Sequence, residues 1–327
     1  MSSLANDLRP TCWAEVVGQP VTVSVLSRQI AEKKIKQAYL FSGPAGTGKT
    51  SVARIFAQDL GCEPIELDAA SNNGVDSVRA IISDASMSSI YSDYKVYILD
   101  ECHRFSGAAW DSLLKLIEEP PEGVIFIFCT TDADKVPLTI LSRLQRFDFK
   151  LVSREDIASR LAYILNEITH MKYEESALDR IATYSQGHLR TAIQALDKCL
   201  SCLDDLTLRA VEETLGYASI EATEHFIDGL QKSNSNTCLE IIDTCNKLGS
   251  NNLIELFNSI MSYTLDLLIF DKTHNTKYCN YNLSVDYISN YDFNKIKLIY
   301  YRCLSLRQLI NQLNVGDMLK TIVLEMC

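Results

Sequence analysis

Residues 43–50 have the residue types and spacing of a phosphate-binding loop. They read Gly-Pro-Ala-Gly-Thr-Gly-Lys-Thr, which matches the pattern Gly-x-x-x-x-Gly-Lys-Thr. Glycines let the backbone turn its N–H groups toward an anion, and the N-terminus of a following helix adds partial positive charge. In such loops the lysine reaches the β- and γ-phosphates and the threonine ligates Mg²⁺. The stretch therefore predicts a nucleoside triphosphate site.

The segments on either side of this loop fit the same interpretation. An apolar run, residues 39–41, precedes the loop, and a helix-like segment, residues 51–60, follows it. We predict that Lys49 and Thr50 hold the phosphates and Mg²⁺. The other predicted ATP-binding residues of the loop are Gly43, Pro44, Ala45, Gly46, Thr47, Gly48 and Ser51. The alternative, a glycine-rich turn beside a surface lysine, is disfavoured because both the motif and its flanks are complete.

A second acidic motif follows another apolar run. Residues 96–101 read Val-Tyr-Ile-Leu-Asp-Glu, a strand pattern that ends in two acids. We predict that Asp100 holds Mg²⁺ and that Glu101 is the base that polarises the attacking water. The alternative is a strand that ends in solvated carboxylates, which the upstream phosphate loop disfavours. His103 completes an Asp-Glu-x-His string, and we interpret it as a packing or helix-start residue without a catalytic role.

A third polar strand end follows the continuous apolar run 124–129. Such a run is typical of a strand buried on both faces of a parallel sheet. In these sheets ligands bind at the carboxyl ends of the strands, so Thr130 or Thr131 can lie beside the phosphate loop. Either threonine is a candidate to contact the γ-phosphate or the attacking water. A strand-end cap is an equally good interpretation for each of them.

Composition limits the kinds of partner and compartment. The chain has 327 residues, 47% of them hydrophobic, and a net charge of −11, so it does not bind nucleic acid through bulk charge. We expect no signal peptide, because the first seven residues lack a basic start and an apolar region. We also expect no membrane span, because no apolar run is long enough. The eleven scattered cysteines indicate free thiols in a reducing cytoplasm.

Strand patterns are confined to the first half of the chain, and the rest has helical periodicity. We predict three domains: a nucleotide-binding domain over residues 1–151 and two helical domains, over residues 152–216 and 217–327. Ser153 begins a capping-box pattern that opens the helical part. Near the N-terminus, an apolar spacing predicts one buried helix face, formed by Val21, Val25, Leu26 and Ile30.

Seven motifs occur in an order that resembles the bacterial clamp-loader ATPases of the DNA polymerase III gamma/tau type. The chain is similar, more distantly, to the small subunits of replication factor C. The resemblance covers about the first 215 residues of this chain. The motifs are residues 43–50, Asp-Ala-Ala-Ser at 68–71, Asp-Glu-Cys-His at 100–103, Glu-Glu-Pro-Pro at 118–121, Thr-Thr-Asp at 130–132, Ile-Leu-Ser-Arg at 140–143 and Gly-His-Leu-Arg at 187–190.

The resemblance implies an α/β AAA+ module, with a parallel sheet that has helices on both faces, followed by an all-α lid and an all-α collar. It implies ATP and Mg²⁺ as ligands and a pentamer of clamp-loader subunits. ATP hydrolysis would open a sliding clamp and load it onto primer–template DNA, with DNA contacts to phosphates. The resemblance implies the cytoplasm of a bacterial cell, and the compact length suggests a phage or another reduced replication system as the source.

Four residues outside the phosphate loop gain roles at the ATP site from the resemblance. Arg9 and Val17 match the N-terminal segment near the adenine. Thr131, or its neighbour Thr130, matches the sensor 1 residue. Arg190 matches the sensor 2 arginine on the lid, although from its position near a helix N-terminus alone we would favour a solvated surface arginine.

The resemblance also implies contacts with other molecules. Arg143 matches an arginine finger that enters the ATP site of the neighbouring subunit, so the catalytic set would be Glu101, Lys49, Arg143, Thr131 and Arg190. Arg79 matches a residue that contacts the DNA backbone. The implied clamp-binding segment contains Met87, Ile90 and Tyr91, although a loop that tucks these apolar side chains into its own core is an equally good interpretation.

The sequence departs from the family pattern in three ways. Only Cys62 stands where family members usually carry a four-cysteine zinc module, so we predict no zinc. Leu144 follows Arg143 where the family has cysteine, and the finger should survive that change. Neutral Asn72 and Gly74 stand where the family often has basic residues, which weakens the expected DNA contact. The sequence ends at the predicted collar, so we expect no polymerase- and helicase-binding tail.

Two other functions stay open from the sequence. The first is a scaffold subunit that binds ATP without hydrolysing it, which intact Glu101 and Arg143 disfavour. The second is a branch-migration motor of related AAA+ fold. Such motors end in a winged-helix domain with a strand hairpin, and no convincing hairpin pattern follows Gly216.

Overall fold

The computed structural model describes residues 4–86, 93–216, 220–279, 281, 283, 291–309 and 313–327. The chain divides into two compact units, Met1–Asp197 and Lys198–Cys327. The predicted three-domain division, with boundaries after residues 151 and 216, stays a prediction.

The first unit is built around a five-stranded sheet. Its strands are β1 Ala38–Ser42, β2 Ile65–Asp68, β3 Lys95–Asp100, β4 Val124–Thr130 and β5 Gln145–Asp148. They lie in the order β2-β3-β4-β1-β5, and every neighbouring pair is parallel. The carboxyl ends of all five strands therefore meet at one edge, where the loops after β1, β3 and β4 come together.

Helices connect these strands. The α-helices are α1 Leu4–Asp7, α2 Pro20–Ala31, α3 Lys49–Asp59, α4 Val75–Ala85, α5 Gly107–Glu118, α6 Leu138–Leu141, α7 Arg154–Ile164, α8 Glu175–Tyr184 and α9 Leu189–Leu200. Short helical turns occupy Trp13–Glu15, Cys102–Arg104, Ala133–Lys135 and Leu165–Thr169. Ser153 caps α7 as its sequence pattern predicts, because its Oγ accepts a hydrogen bond from the Asp156 N–H at 3.1 Å.

The sheet has a hydrophobic layer on each face. Because side chains alternate along a strand, Phe126 and Phe128 of β4 lie on the face that packs against Trp110 of α5. Ile125 and Ile127 lie on the other face, in one cluster with Phe56 of α3. All seven residues of β4 are buried. This arrangement confirms the predicted α/β fold with helices on both faces of a parallel sheet.

The described residues of the second unit beyond α9 form helices and no strands. These helices are α10 Leu208–Leu215, α11 Ile220–Gln231, α12 Ser235–Leu248, α13 Ser250–Thr273, α14 Phe293–Arg307 and α15 Val315–Met326, with a short turn at Thr276–Tyr278. The apolar faces of α11 to α15 share one core that includes Phe226, Phe257, Ile299 and Leu319. The predicted helical character of the C-terminal part is thus confirmed for these residues.

Helix α13 is long and apolar, with 24 residues. Its residues Asn252–Thr273 have the length and hydropathy that a membrane span requires, although half of this stretch is buried inside the unit. Core helices of globular domains pass the same test. Here Leu256, Phe257 and Ile260 are buried in the helical core, so the stretch is explained by packing.

Candidate active site

The phosphate-loop residues connect β1 to α3 at the carboxyl edge of the sheet. The Gly43 N–H donates to the Thr130 carbonyl at 3.2 Å, which joins the loop to the end of β4. Gly43, Gly46 and Gly48 have φ angles of 146°, 71° and 99°, which side chains rarely tolerate. A Cβ on Gly43 would lie 2.2 Å from the Phe149 carbonyl oxygen. The loop therefore needs glycine for its backbone angles, and at position 43 also for space.

Lys49 is the first residue of α3 and is only 6% exposed. Its Nζ donates to the carbonyl oxygens of Gly43 and Pro44, both at 2.8 Å. Burial lowers the pKa of Lys49, and the nearby carboxylates of Glu101 and Asp100 offset only part of that shift. The ammonium group is thus held inside the loop, next to the backbone that would surround a phosphate.

Thr50 and Asp100 form a hydroxyl–carboxylate pair across the site. Thr50 Oγ1 donates to Asp100 Oδ2 at 2.7 Å, and Asp100 Oδ1 accepts from the Glu101 N–H at 2.9 Å. Mg²⁺ takes oxygen ligands and usually binds only one or two protein groups, with waters and phosphate oxygens completing its shell. These two side chains fit that donor set, as predicted from the sequence.

Glu101 lies directly after β3 with a left-handed backbone, φ 49°. Its carboxylate accepts a hydrogen bond from Thr131 Oγ1 at 3.2 Å. The same Oε2 lies 3.2 Å from Nδ1 of His103. Thr131 thus contacts the predicted base and does not line the cleft itself. Sequence reasoning gave His103 no role, although the Asp-Glu-x-His string placed it within three residues of both acids.

A cleft of about 1060 Å³, open solvent included, extends from the loop toward the N-terminal segment. Its lining contains Arg9 and Val17, which the sequence placed near the adenine, and Arg190 from α9. Burial and the neighbouring Arg54 lower the pKa of Arg9. Arg160 of α7 also lines the cleft and donates to the Leu8 carbonyl at 3.4 Å. No motif singled out Arg160, because its place depends on how α7 packs.

The turn before α9 lies directly on the phosphate loop. The His188 ring Nδ1 is 2.8 Å from the Ala45 carbonyl oxygen. A Cβ on Gly46 would lie 3.1 Å from the Cβ of Arg190. This contact brings Arg190 to the loop in the same chain, where the resemblance expects the sensor 2 arginine. The role of Arg190 itself stays a prediction.

Arg143 is not brought to this cleft. It follows α6, is exposed, and forms an ion pair with Glu118 Oε1 at 2.5 Å. It also donates to the Thr139 carbonyl and to Ser142 Oγ. Since Arg143 does not line the cleft of its own chain, any part it takes in hydrolysis has to be at another subunit's site.

The remaining predicted contacts concern other molecules. Arg79 lies on α4, where it is exposed and 3.3 Å from Asp76 Oδ1. Its predicted DNA contact is not tested. Met87, Ile90 and Tyr91, the predicted clamp-binding residues, lie outside the described residues. Within the described parts of the chain, no group of three or more His, Cys, Asp or Glu side chains is arranged to hold a metal, and the predicted lack of zinc stays a prediction.

Comparison with known proteins identifies the family. A family model described as DNA polymerase III, delta subunit matches residues 18–74 and 66–153. The DNA polymerase III subunit tau of Bacillus subtilis is 37% identical over 295 residues, which are 82% of this chain and 52% of that protein. The DNA polymerase III subunit gamma of Buchnera aphidicola from Schizaphis graminum is 31% identical over 281 residues, 77% of each chain. The chain belongs to the DNA polymerase III gamma/tau family.

This gamma/tau chain spans about half the length of the curated tau relatives that it matches. It covers 52% of the Bacillus subtilis protein and 41% of the Escherichia coli subunit tau, to which it is 34% identical. Membership confirms the family predicted from the motifs. The activity and partners of the whole protein remain matters for proposal.

Solved structures agree on the fold of this gamma/tau chain. The Thermotoga maritima RuvB Holliday junction branch migration motor superimposes with a TM-score of 0.57. The two share 20% identity over 68% of this chain and 80% of RuvB. At that identity the likeness shows the fold alone, and it supports the AAA+ assignment of the sheet and its helices.

Proposed function

We propose that this gamma/tau family member is the ATP-hydrolysing subunit of a sliding-clamp loader, which opens the clamp and loads it onto primer–template DNA. The observation that carries the proposal is the meeting of Lys49, Thr50, Asp100 and Glu101 at one cleft of the first unit. A chain of this family that merely bound ATP would not need a carboxylate beside the metal-binding pair.

Each side chain has a separate task in the proposed reaction. Lys49 exchanges its two loop carbonyls, Gly43 and Pro44, for phosphate oxygens when ATP enters. Thr50 and Asp100 hold Mg²⁺, which when bound neutralises charge on the phosphates. Glu101 orients the attacking water and accepts its proton, and Thr131 holds the carboxylate from one side. Arg9, Val17 and Arg190 bind the rest of the nucleotide.

We propose that Arg143 completes the cleft of a neighbouring subunit. It is exposed and lies outside its own cleft. Its ion pair with Glu118 is partly exposed on both sides, and such pairs contribute little to stability, so exchanging the carboxylate for a phosphate is inexpensive. An arginine supplied to a developing phosphate charge in this way raises rates by ~10³–10⁵ in other nucleotidases.

The proposed partners are the other subunits of a clamp-loader pentamer, a sliding clamp and primer–template DNA. We propose no membrane contact. With a net charge of −11, the chain needs local basic residues such as Arg79 for its DNA contacts, which would be to phosphates. Met87, Ile90 and Tyr91 are the proposed clamp contact. As a member of a bacterial replication family, the chain is proposed to act in the cytoplasm, and a phage origin stays a prediction.

The first test measures ATP hydrolysis by the full chain with its partner subunits, clamp and primed DNA. We expect Lys49→Ala to lower ATP binding and hydrolysis by at least ~10-fold, because the buried ammonium is the main phosphate ligand. Lys34→Ala is the matched control, since Lys34 is an exposed lysine paired with Glu32. Unchanged turnover in the Lys49 variant would contradict the proposed site, and tight ATP binding without turnover would favour the scaffold function.

A further inference from the structure

His103 bridges the ends of two neighbouring strands. It lies in the short turn Cys102–Arg104 after β3, and its side chain is only 12% exposed. Its Nδ1 atom is 3.2 Å from Glu101 Oε2 and 3.1 Å from Oγ1 of the fully buried Thr130 at the end of β4. One ring nitrogen therefore contacts both the proposed base and a fixed point of the sheet.

The surrounding hydrogen bonds determine which way the His103 proton points. Thr130 Oγ1 donates to the Asp132 carbonyl at 3.1 Å and accepts from the Asp132 N–H at 3.0 Å. The hydroxyl proton is thus directed at Asp132, and the ionised Glu101 carboxylate has no proton to give. With the Thr130 hydroxyl proton on the Asp132 carbonyl, we assign the tautomer in which Nδ1 carries the proton and donates to Glu101 Oε2 and Thr130 Oγ1.

Two donors of unequal rigidity, Thr131 and His103, contact the same Glu101 oxygen, Oε2. Thr131 is exposed, and its hydroxyl can rotate. The His103 ring is mostly buried and is tied to Thr130, so its N–H has a fixed direction. A base must stay aligned with the attacking water, and small misplacements of reacting groups are costly to the rate.

We propose that His103 is a positioning residue for ATP hydrolysis: its Nδ1–H holds the Glu101 carboxylate at the angle needed to accept the proton of the attacking water. The inference rests on the proposed ATPase function and goes beyond it, because it assigns a task to a side chain that touches neither nucleotide nor metal. If His103 only filled space, replacing it with another side chain of similar size would leave the hydrolysis rate unchanged.

Three substitutions separate hydrogen bonding from packing. His103→Asn places an amide N–H close to the position of Nδ1, His103→Gln places it farther out, and His103→Leu fills space without a donor. Each variant is assembled with the partner subunits, clamp and primed DNA. Single-turnover hydrolysis is then measured beside the affinity for a fluorescent ATP analogue.

We expect His103→Leu to lower the hydrolysis rate ~10–100-fold while nucleotide affinity stays within about twofold, because only alignment of the base is lost. His103→Asn should recover most of the rate, and His103→Gln should not. In a Glu101→Gln background, the His103 substitutions should cause no further loss, since both act on the same step.

Several results would overturn the inference. These are a wild-type rate in His103→Leu, equal rates in the Asn and Gln variants, or a further loss in the Glu101→Gln background. If His103→Leu does not fold, the comparison of the Asn and Gln variants decides alone. A wild-type complex that hydrolyses no ATP would instead contradict the proposed function, whereas wild-type turnover with indifferent His103 variants removes only this assignment.

Discussion

Asp100 and Glu101 are adjacent acids with different partners. Asp100 accepts from the Thr50 hydroxyl and from the Glu101 N–H, so its oxygens point to the metal-binding side. Glu101 turns away through its left-handed backbone, φ 49°, and meets Thr131 and His103 instead. That backbone costs roughly 1–2 kcal/mol for a residue with a side chain. This conformation separates the proposed metal ligand, Asp100, from the proposed base, Glu101.

At this scale we expect Glu101→Gln to lower ATP hydrolysis by about 100-fold or more, because an amide cannot accept the proton of the attacking water. Nucleotide binding should be retained, since the amide keeps the size of the side chain and the phosphate loop is untouched. Single-turnover hydrolysis and a nucleotide-binding titration measure the two effects.

Glu63→Gln is the matched control for this substitution. Glu63 is an exposed carboxylate in the connection before β2, away from the cleft lining. The control should keep the wild-type rate. If Glu101→Gln also kept it, Glu101 would not be the base.

The strand–loop–helix element depends on close backbone packing as well as on charge. Gly43 leaves β1 against the Phe149 carbonyl, and Gly46 packs against Arg190. Lys49 begins α3 with its ammonium folded into the loop. The loop therefore keeps its shape through contacts with Phe149, directly after β5, and with Arg190 of α9.

We expect Gly43→Ala to lower the free energy of unfolding of the first unit by about 3 kcal/mol, through backbone strain and the clash with Phe149. Urea unfolding followed by tryptophan fluorescence measures this, because Trp13 and Trp110, the chain's two tryptophans, both lie in the first unit.

Gly61→Ala separates the clash from the strain. Gly61 also has a positive φ, 74°, but a Cβ there would meet nothing within 4 Å. We expect Gly61→Ala to lower the free energy of unfolding by only about 1 kcal/mol. Equal losses at the two positions would show that close packing does not restrict position 43.

Elements with strong local patterns were predictable. The apolar runs 39–41 and 124–129 lie within β1 and β4, because such short runs stand between polar and turn-forming residues. The predicted buried face of α2 was wrong at one position. Val21 is 75% exposed, while Thr22 and Leu26 are buried. Helix α2 begins at Pro20, so Val21 lies in the first turn, one residue off the buried stripe.

The site was predictable wherever its residues form a continuous motif, as in residues 43–50 and at Asp100 and Glu101. Contacts between segments that are distant in the sequence could not be predicted. Arg160 reaches the cleft through the packing of α7, and His188 reaches Ala45 across 143 residues of sequence. The contacts of His103 depend on the left-handed turn at Glu101 and on the neighbouring end of β4. Neither feature leaves a local sequence signal.

At the scale of the whole molecule, each unit has its own core. The first unit holds the cleft. The helices of the second unit pack around a separate hydrophobic core. Under the proposed function, Arg143 links ATP hydrolysis to assembly, because it is exposed and does not line the cleft of its own chain. An assembly in which every cleft borrows an arginine hydrolyses ATP only when neighbours are correctly placed.

The most direct test of this arrangement mixes Lys49→Ala and Arg143→Ala chains before they assemble with the partner subunits, clamp and primed DNA. Arg146→Ala, which removes a nearby exposed arginine paired with Asp148, is the control and should stay active. Each of the first two variants alone should lose most ATPase activity. In an equal random mixture, about a quarter of the like-subunit interfaces pair an intact cleft with an intact Arg143. We expect ATPase activity to reappear in proportion, and a mixture no more active than the average of the two variants would contradict a site shared between subunits.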